Sequence, residues 1–319
     1  MDNKEMMPLV SVIMPSYNHE KYIEEAIRSV WEQTYSNIEL IVLDDGSKDK
    51  SAEIIKGLEK ISPIRMKVVL KENEGLCRTL NKGLVLAEGE YIGMLASDDR
   101  YLSNKIQDQV EAFQRLDESY AVVYSDGYYM NEEGTLLDKK LTEQLNLNEI
   151  NHNEKDFSKI IKHQFLISPQ TALFRKQAIN NVEGFDESLS FEDLDLYLKL
   201  AKFYKFYFLD INVVCYRLIE NGLRENLKVD EIMRIVFKHI NFLDKKEQKE
   251  VLRYRYMKFA ERNLYLCNIS KGMKYYFNLV RLKTYNLKYY KFLIRFLLRC
   301  LVVKIFGEKI ITLKKYVRK

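Results

Sequence analysis

Residues 91–99 read YIGMLASDD: apolar through residue 96, with no polar face, then Ser97, Asp98 and Asp99. An apolar run of that length predicts a strand buried on both faces of a sheet. Upstream the pattern repeats. Residues 9–14 (LVSVIM) predict a first buried strand that breaks at Pro15. Ser16-Tyr17-Asn18 then predict a turn, with Asn18 placed to cap the next helix. That helix spans 20–33, with Tyr22, Ile23, Ala26, Ile27 and Val30 on one face. A second strand over 38–43 ends in Asp44-Asp45-Gly46-Ser47, a helix covers 51–58, and a third strand covers 66–70. Asn73-Glu74-Gly75 opens a helix that runs to residue 87. Strands and helices alternating at this spacing imply βαβ units and a parallel sheet.

In a parallel sheet the carboxyl ends SYN, DDGS and SDD lie along one edge, where ligands of open α/β sheets bind. Solvated loops need only be polar, whereas acids and an aromatic at successive strand ends suggest a ligand. Paired carboxylates suit a hard divalent cation that bridges to phosphate oxygens. Taken singly each is ordinary: Asp45 sits in a DG turn, and Asp98–Asp99 could merely end a strand. Further on, the pattern predicts a helix over 104–116, a strand over 121–125 and a hairpin-like turn at 131–134. A polar, Asn-rich loop over 143–156 precedes a strand over 170–175. Gly184-Phe185-Asp186-Glu187 predicts a turn, and FEDLD at 191–195 opens a helix with Leu194, Leu198 and Ala201 on one face. Two short strands, 207–209 and 213–216, close at Arg217.

Composition changes this picture in one respect. A hydrophobic content of 47% over 319 residues is ordinary for a globular chain, and four scattered cysteines show neither metal-site spacing nor a disulfide framework. The first seven residues are polar, so no signal peptide is expected. The net charge of +5, however, conceals a split. Residues 223–319 carry 25 Lys+Arg against 8 Asp+Glu, a net of +17. Of the chain's 51 and 46, this leaves 26 against 38 for residues 1–222, a net of −12. Two regions with different partners follow from such asymmetry.

The ordered set VSVIMPSYN, DDGS, NEGLCRTLNKG, AEGEYIGMLASDD, GFDE and FEDLDLYLKLA resembles the family 2 glycosyltransferases over roughly residues 8–217. The resemblance implies an inverting enzyme of GT-A fold, an α/β architecture with a Rossmann-like, mostly parallel sheet. It implies a catalytic domain at 1–222, with a nucleotide-sugar part near 8–100 and an acceptor part near 101–222. It also implies a donor site at Pro15, Tyr17, Asp45 and Asp98. Tyr17 would stack on the base, Asp45 would bond its N–H edge and favour uracil, and Asp98 would contact the ribose. Asp99 would ligate Mn²⁺ or Mg²⁺ on the diphosphate, and Asp193 would be the general base, with Glu192 and Asp195 as neighbouring rivals. The chain departs from the pattern at three places. Leu80 precedes Asn81 where an Arg is common, Glu183 stands where a second Gly is often found, and Ile219 stands where a His can hold the diphosphate. Arg217 and Arg224 are the basic residues nearby that could replace that His. A sugar nucleotidyltransferase would also place acids and Mg²⁺ on such a sheet, but it calls for a Gly-rich basic loop where this chain has SYNHE. A non-catalytic nucleotide- or glycan-binding scaffold is the third reading.

Beyond the match, residues 223–319 predict a basic helical region. Within YYKFLIRFLLRCLVVKIF (289–306) the cations Lys291, Arg295 and Arg299 fall four apart on one helix stripe. Regular cations argue against a membrane span, while a basic stripe on an apolar helix fits an anionic membrane surface. Packing on the catalytic domain with a solvated basic face is the competing expectation. Nucleic-acid binding has the charge but no supporting motif upstream.

Overall fold

A computed structural model describes residues 7–144, 157–163, 167–219, 229–265, 268–282 and 287–306. The chain divides into two compact units, Met1–Lys228 and Val229–Lys319. The polar loop expected at 143–156 lies almost wholly outside the described residues, as does Arg224.

Unit 1 is built on nine strands, β1 (Val10–Ser16), β2 (Ile38–Asp44), β3 (Arg65–Leu70), β4 (Tyr91–Met94), β5 (Arg100–Tyr101), β6 (Tyr120–Met130), β7 (Leu136–Lys140), β8 (Ala172–Arg175) and β9 (Lys205–Arg217). Their order is β3-β2-β1-β4-β8-β6-β9-β5, with β7 paired to β6. The first four are mutually parallel. β8 enters antiparallel between β4 and β6, and β9 runs parallel to β6. Among its described residues the α-helices are α1 (Ile23–Trp31), α2 (Ser51–Glu59), α3 (Leu76–Leu86), α4 (Lys105–Gln114), α5 (Phe157–Lys162), α6 (Lys176–Asn181) and α7 (Asp193–Ala201).

Sequence chemistry accounts for the centre. β1 and β2 are apolar and almost wholly buried, so both faces must be covered. On α1 the predicted stripe Ile23, Ala26, Ile27 and Val30 enters the core with Val10, Val12 and Met14. On α3, Gly83 allows the closest approach: a Cβ there would lie 2.5 Å from the Ile13 side chain. Pro15 does not break the strand as expected. β4 pairs β1 only through Ile13, so the missing N–H falls beyond that ladder, and β1 continues to Ser16. The two short strands expected at 207–209 and 213–216 are one strand, β9, whose register against β6 shifts near Asp126. A polar Asp210 reads in sequence as a break but here lies on the bend.

Unit 2 consists of α8 (Val229–His239), α9 (Lys245–Tyr265), α10 (Ile269–Arg281) and α11 (Leu287–Phe306). Phe292 and Phe296 of α11 are buried, with Phe296 stacked on Tyr276 of α10 at 5.3 Å between centroids. Among the described residues no helix is long and apolar enough to cross a membrane.

Candidate active site

β2, β1 and β4 are neighbours in that order and parallel, so the loops after them emerge side by side. The first two loops are locked together. Asn18 N–H donates to Ser47 Oγ at 2.9 Å, and Lys48 N–H donates to Asn18 Oδ1 at 2.7 Å. His19 N–H donates to Ser51 Oγ at 3.0 Å, and Glu20 N–H to Asp49 Oδ2 at 2.9 Å. Asn18 has φ +55°, a left-handed conformation that Asn tolerates better than most residues. It therefore turns the loop and does not cap α1, whose N-cap position is Tyr22. The turn leaves Tyr17 at the edge and 47% exposed.

Asp45 is buried and heavily bonded. Its Oδ1 accepts from Glu74 N–H at 2.9 Å and from Lys71 Nζ, and its Oδ2 accepts from Gly75 N–H at 2.9 Å. Burial pushes its pKa up, but Lys71 and the two amides win and hold the carboxyl below its ordinary range. Asp45 thereby ties β2 to the loop that opens α3. With about four acceptor sites on a carboxylate, Oδ2 retains capacity for one more donor.

Behind β4, Asp98 lies 3.9 Å from His19 Nδ1, which also contacts Ser97 Oγ at 2.7 Å. Asp99 is 2% exposed. Its Oδ1 accepts from Arg217 N–H at 2.8 Å, while Oδ2 is buried with no hydrogen-bond partner. Burial and the neighbouring Asp98 charge push the Asp99 carboxyl well above the usual range, against the pull of Arg217. Gln170 acts on the same carboxyl from outside ordinary hydrogen-bond geometry. An orphaned, buried carboxylate oxygen beside a second acid fits a divalent cation. Among the described residues no three His, Cys, Asp or Glu side chains converge to hold one unaided. That donor set suits an ion such as Mg²⁺, held by one or two carboxylates and completed by substrate phosphates.

Arg217, expected at the diphosphate, lies buried at the end of β9. It is 3% exposed, and its guanidinium donates to the carbonyls of Asp98, Asn131 and Glu132 and to the Glu25 carboxylate. Ile219 is followed at once by residues outside the described part.

The acids at 192–195 sit at the start of α7. Glu192 is the N-cap residue and makes no side-chain capping bond; Asp193 follows it as the first helical residue. Asp193 Oδ1 accepts from Leu194 N–H at 2.6 Å. Burial raises Asp193 to about 6 against its backbone hydrogen bonds. Burial and then the Asp193 charge raise Glu192 to about 8. Asp195 points elsewhere, 3.5 Å from Lys199 Nζ, which itself donates to Gly184 O at 2.9 Å. The Gly184 turn is in turn bound to α3, where Asn81 Nδ2 donates to Phe185 O and Phe185 N–H donates to Asn81 Oδ1, both at 2.9 Å. Glu183 has φ +61°, which explains why glycine is common at that position in the family pattern.

Three site residues escaped the sequence reading: Lys71, Glu25 and His19. Lys71 had a usable signal, since it directly follows β3, another parallel strand ending on the same edge. Glu25 had none, because an acid on an amphipathic helix reads as a solvated face.

The sequence profile of the family described as Glycosyl transferase family 2 matches residues 11–182. The chain belongs to that family. It is 32% identical over 229 residues to a chondroitin synthase of Escherichia coli, a match covering 72% of this chain and 31% of that one. The chain thus spans about a third of that relative's length. Among solved structures, Staphylococcus aureus TarS 1–349 in complex with UDP-GlcNAc superposes with a TM-score of 0.64 at 21% identity, covering 84% of this chain and 80% of that one. The mannosyltransferase PcManGT of Pyrobaculum calidifontis, in complex with GDP-Man and Mn²⁺, gives 0.62 at 17% identity, covering 95% and 89%. Those likenesses establish the GT-A fold of unit 1 and, with unit 2, an α/β chain carrying C-terminal helices.

Proposed function

We propose that this glycosyltransferase family member moves a sugar from a UDP-linked donor to a hydroxyl of a glycan or lipid-linked acceptor, with inversion. The observation that carries the reading is the buried Asp99 carboxylate, whose second oxygen lacks a partner at the shared edge of β2, β1 and β4. Tyr17 stacks on the base, Asp45 accepts from its N–H through the remaining site on Oδ2, and Asp98 bonds the ribose. Pro15 shapes the β1 end beneath them. Asp99 holds Mn²⁺ or Mg²⁺; when bound, the ion neutralises charge developing on the departing diphosphate. Asp193 takes the proton of the acceptor hydroxyl, a task suited to a carboxyl raised toward neutrality. One displacement by that hydroxyl inverts the anomeric carbon, so no side-chain nucleophile is needed.

Isothermal titration with UDP, with and without Mn²⁺, tests this. Wild type should bind more tightly with metal, and Asp99→Ala should lose both that gain and transfer. Near-normal turnover by metal-stripped Asp99→Ala would sink the assignment, and binding without turnover across UDP- and GDP-sugars would favour the scaffold reading. For unit 2, we propose attachment to an anionic membrane surface. Lys291, Arg295 and Arg299 are exposed on α11 beside exposed Ile294, Leu297, Leu298 and Leu301. Failure to pellet with anionic vesicles at low salt would refute it.

A further inference from the structure

The acid pair at 98–99 is held from outside the donor edge by a residue of α1. Arg217, the last residue of β9, bonds to the 98–99 loop, to the β6–β7 turn and to α1. Its N–H grips Asp99 Oδ1, its Nε donates to Asp98 O at 2.8 Å, and its Nη1 donates to Glu132 O at 2.7 Å in the β6–β7 turn. The Tyr22 ring lies 4.7 Å from the guanidinium carbon. The side chain is 1% exposed, so solvent does little to balance its charge. Glu25 does so: its Oε2 accepts from Arg217 Nη2 at 2.5 Å, and its Oε1 lies 3.1 Å from Arg100 Nη1. One carboxylate thus restrains the arginine that grips Asp99 and the arginine that follows it in sequence. Glu24, one residue earlier, pairs with exposed Arg28 on the same helix.

We propose that Glu25 is a positioning residue for the metal-binding carboxylate, because it keeps Arg217 from pairing with Asp99 itself. Without its counter-ion a buried guanidinium is left as an uncompensated charge, and the Asp99 carboxyl, already bonded to the Arg217 N–H and within reach of its charge, is a carboxylate that can compensate it. The Arg217 guanidinium would then occupy the oxygen that Asp99 otherwise offers to an ion. The proposal rests on the reading of Asp99 as an ion ligand.

Calorimetric titration of Mn²⁺ into the UDP complex of the full chain is the test. Glu25→Gln should weaken Mn²⁺ affinity about 10–100-fold, the usual cost of losing an outer-shell partner. UDP affinity without metal should stay at the wild-type value. Turnover should fall at low Mn²⁺ and recover at excess, so the change lies in the metal requirement and not in kcat. Glu24→Gln should behave as wild type. Glu25→Asp, which keeps the charge on a shorter arm, should show a smaller loss in the same direction, and it alone decides if Glu25→Gln does not fold. Unchanged Mn²⁺ affinity in the Glu25 variants would overturn the proposal. A wild type whose UDP binding ignores metal would instead bring down the reading of Asp99 and this proposal with it.

Discussion

Asp45 and Asp193 are the same residue type at two places in unit 1, and their surroundings push them in opposite directions. Asp45 has a lysine and two backbone amides, enough to outweigh its burial, so it stays ionised and works as a clamp. Asp193 has its own helix turn and little else, burial wins, and its carboxyl rises to about 6. What separates them is not exposure but the count of donors aimed at each oxygen. A satisfied carboxylate organises the chain around it, whereas an unsatisfied one is left available for protons or cations. Asp99 stands between these extremes, with one oxygen held and one without a partner.

The widest separation should come from removing the acid function while keeping the shape. Asp193→Asn should lower turnover about 10²–10⁴-fold, the worth of a positioned base, with UDP affinity near wild type. The acid limb of kcat/KM should fall with an apparent pKa near 6. An equal loss of donor binding and turnover would make Asp193 a structural residue, and full activity would move the role to Glu192. The pair also marks stability. Both groups bind protons more tightly folded than unfolded, so the fold loses stability as pH rises from the ordinary carboxylate range through about 6 and about 8. Glu192→Gln, which cannot ionise, should flatten that loss in denaturant titrations across pH.

Asp45→Ala should weaken UDP binding and also lower stability. It leaves the Glu74 and Gly75 amides without their acceptor and takes one partner from Lys71, which keeps Glu74 and the Glu72 carbonyl, at a cost of about 1–3 kcal/mol. The sign is opposite to that of Asp193. Because the folded pKa is lowered, the contribution is present at neutral pH and disappears as pH falls below the ordinary carboxylate range. Wild type and variant should therefore converge in acid, and a constant gap down to strongly acidic pH would contradict the clamp. Smallest of all should be Glu183→Gly, which relieves a left-handed non-glycine residue and should add about 1 kcal/mol. A loss of stability there would mean the Glu183 side chain contributes more than its backbone costs.

The parallel core was legible because β1, β2 and β4 are continuous apolar runs ending in chemistry, separated by helices at βαβ spacing. The second half was less so. β8 is four residues that join by pairing with strands far away in sequence, and no local pattern reports which strands a segment will meet. The same limit hid the roles of Arg217 and Glu25, 192 residues apart and in contact only after β9 returns beside β5. Asn18 was misread for a local reason: a polar residue before a helix is usually a cap, and only the interlock with Ser47 and Lys48 demands a left-handed turn.

The placing of β1 between β2 and β4 also makes the sheet a gauge. Loops rooted on strands two apart are held about 10 Å from one another by backbone hydrogen bonding alone. Side-chain substitution leaves that span unchanged. A ligand whose two ends are read by Asp45 and by Asp99 must match a length set by the backbone, while whatever it carries beyond Asp99 is gripped by residues free to vary. Such a chassis can change the cargo it accepts without changing the handle by which it holds it.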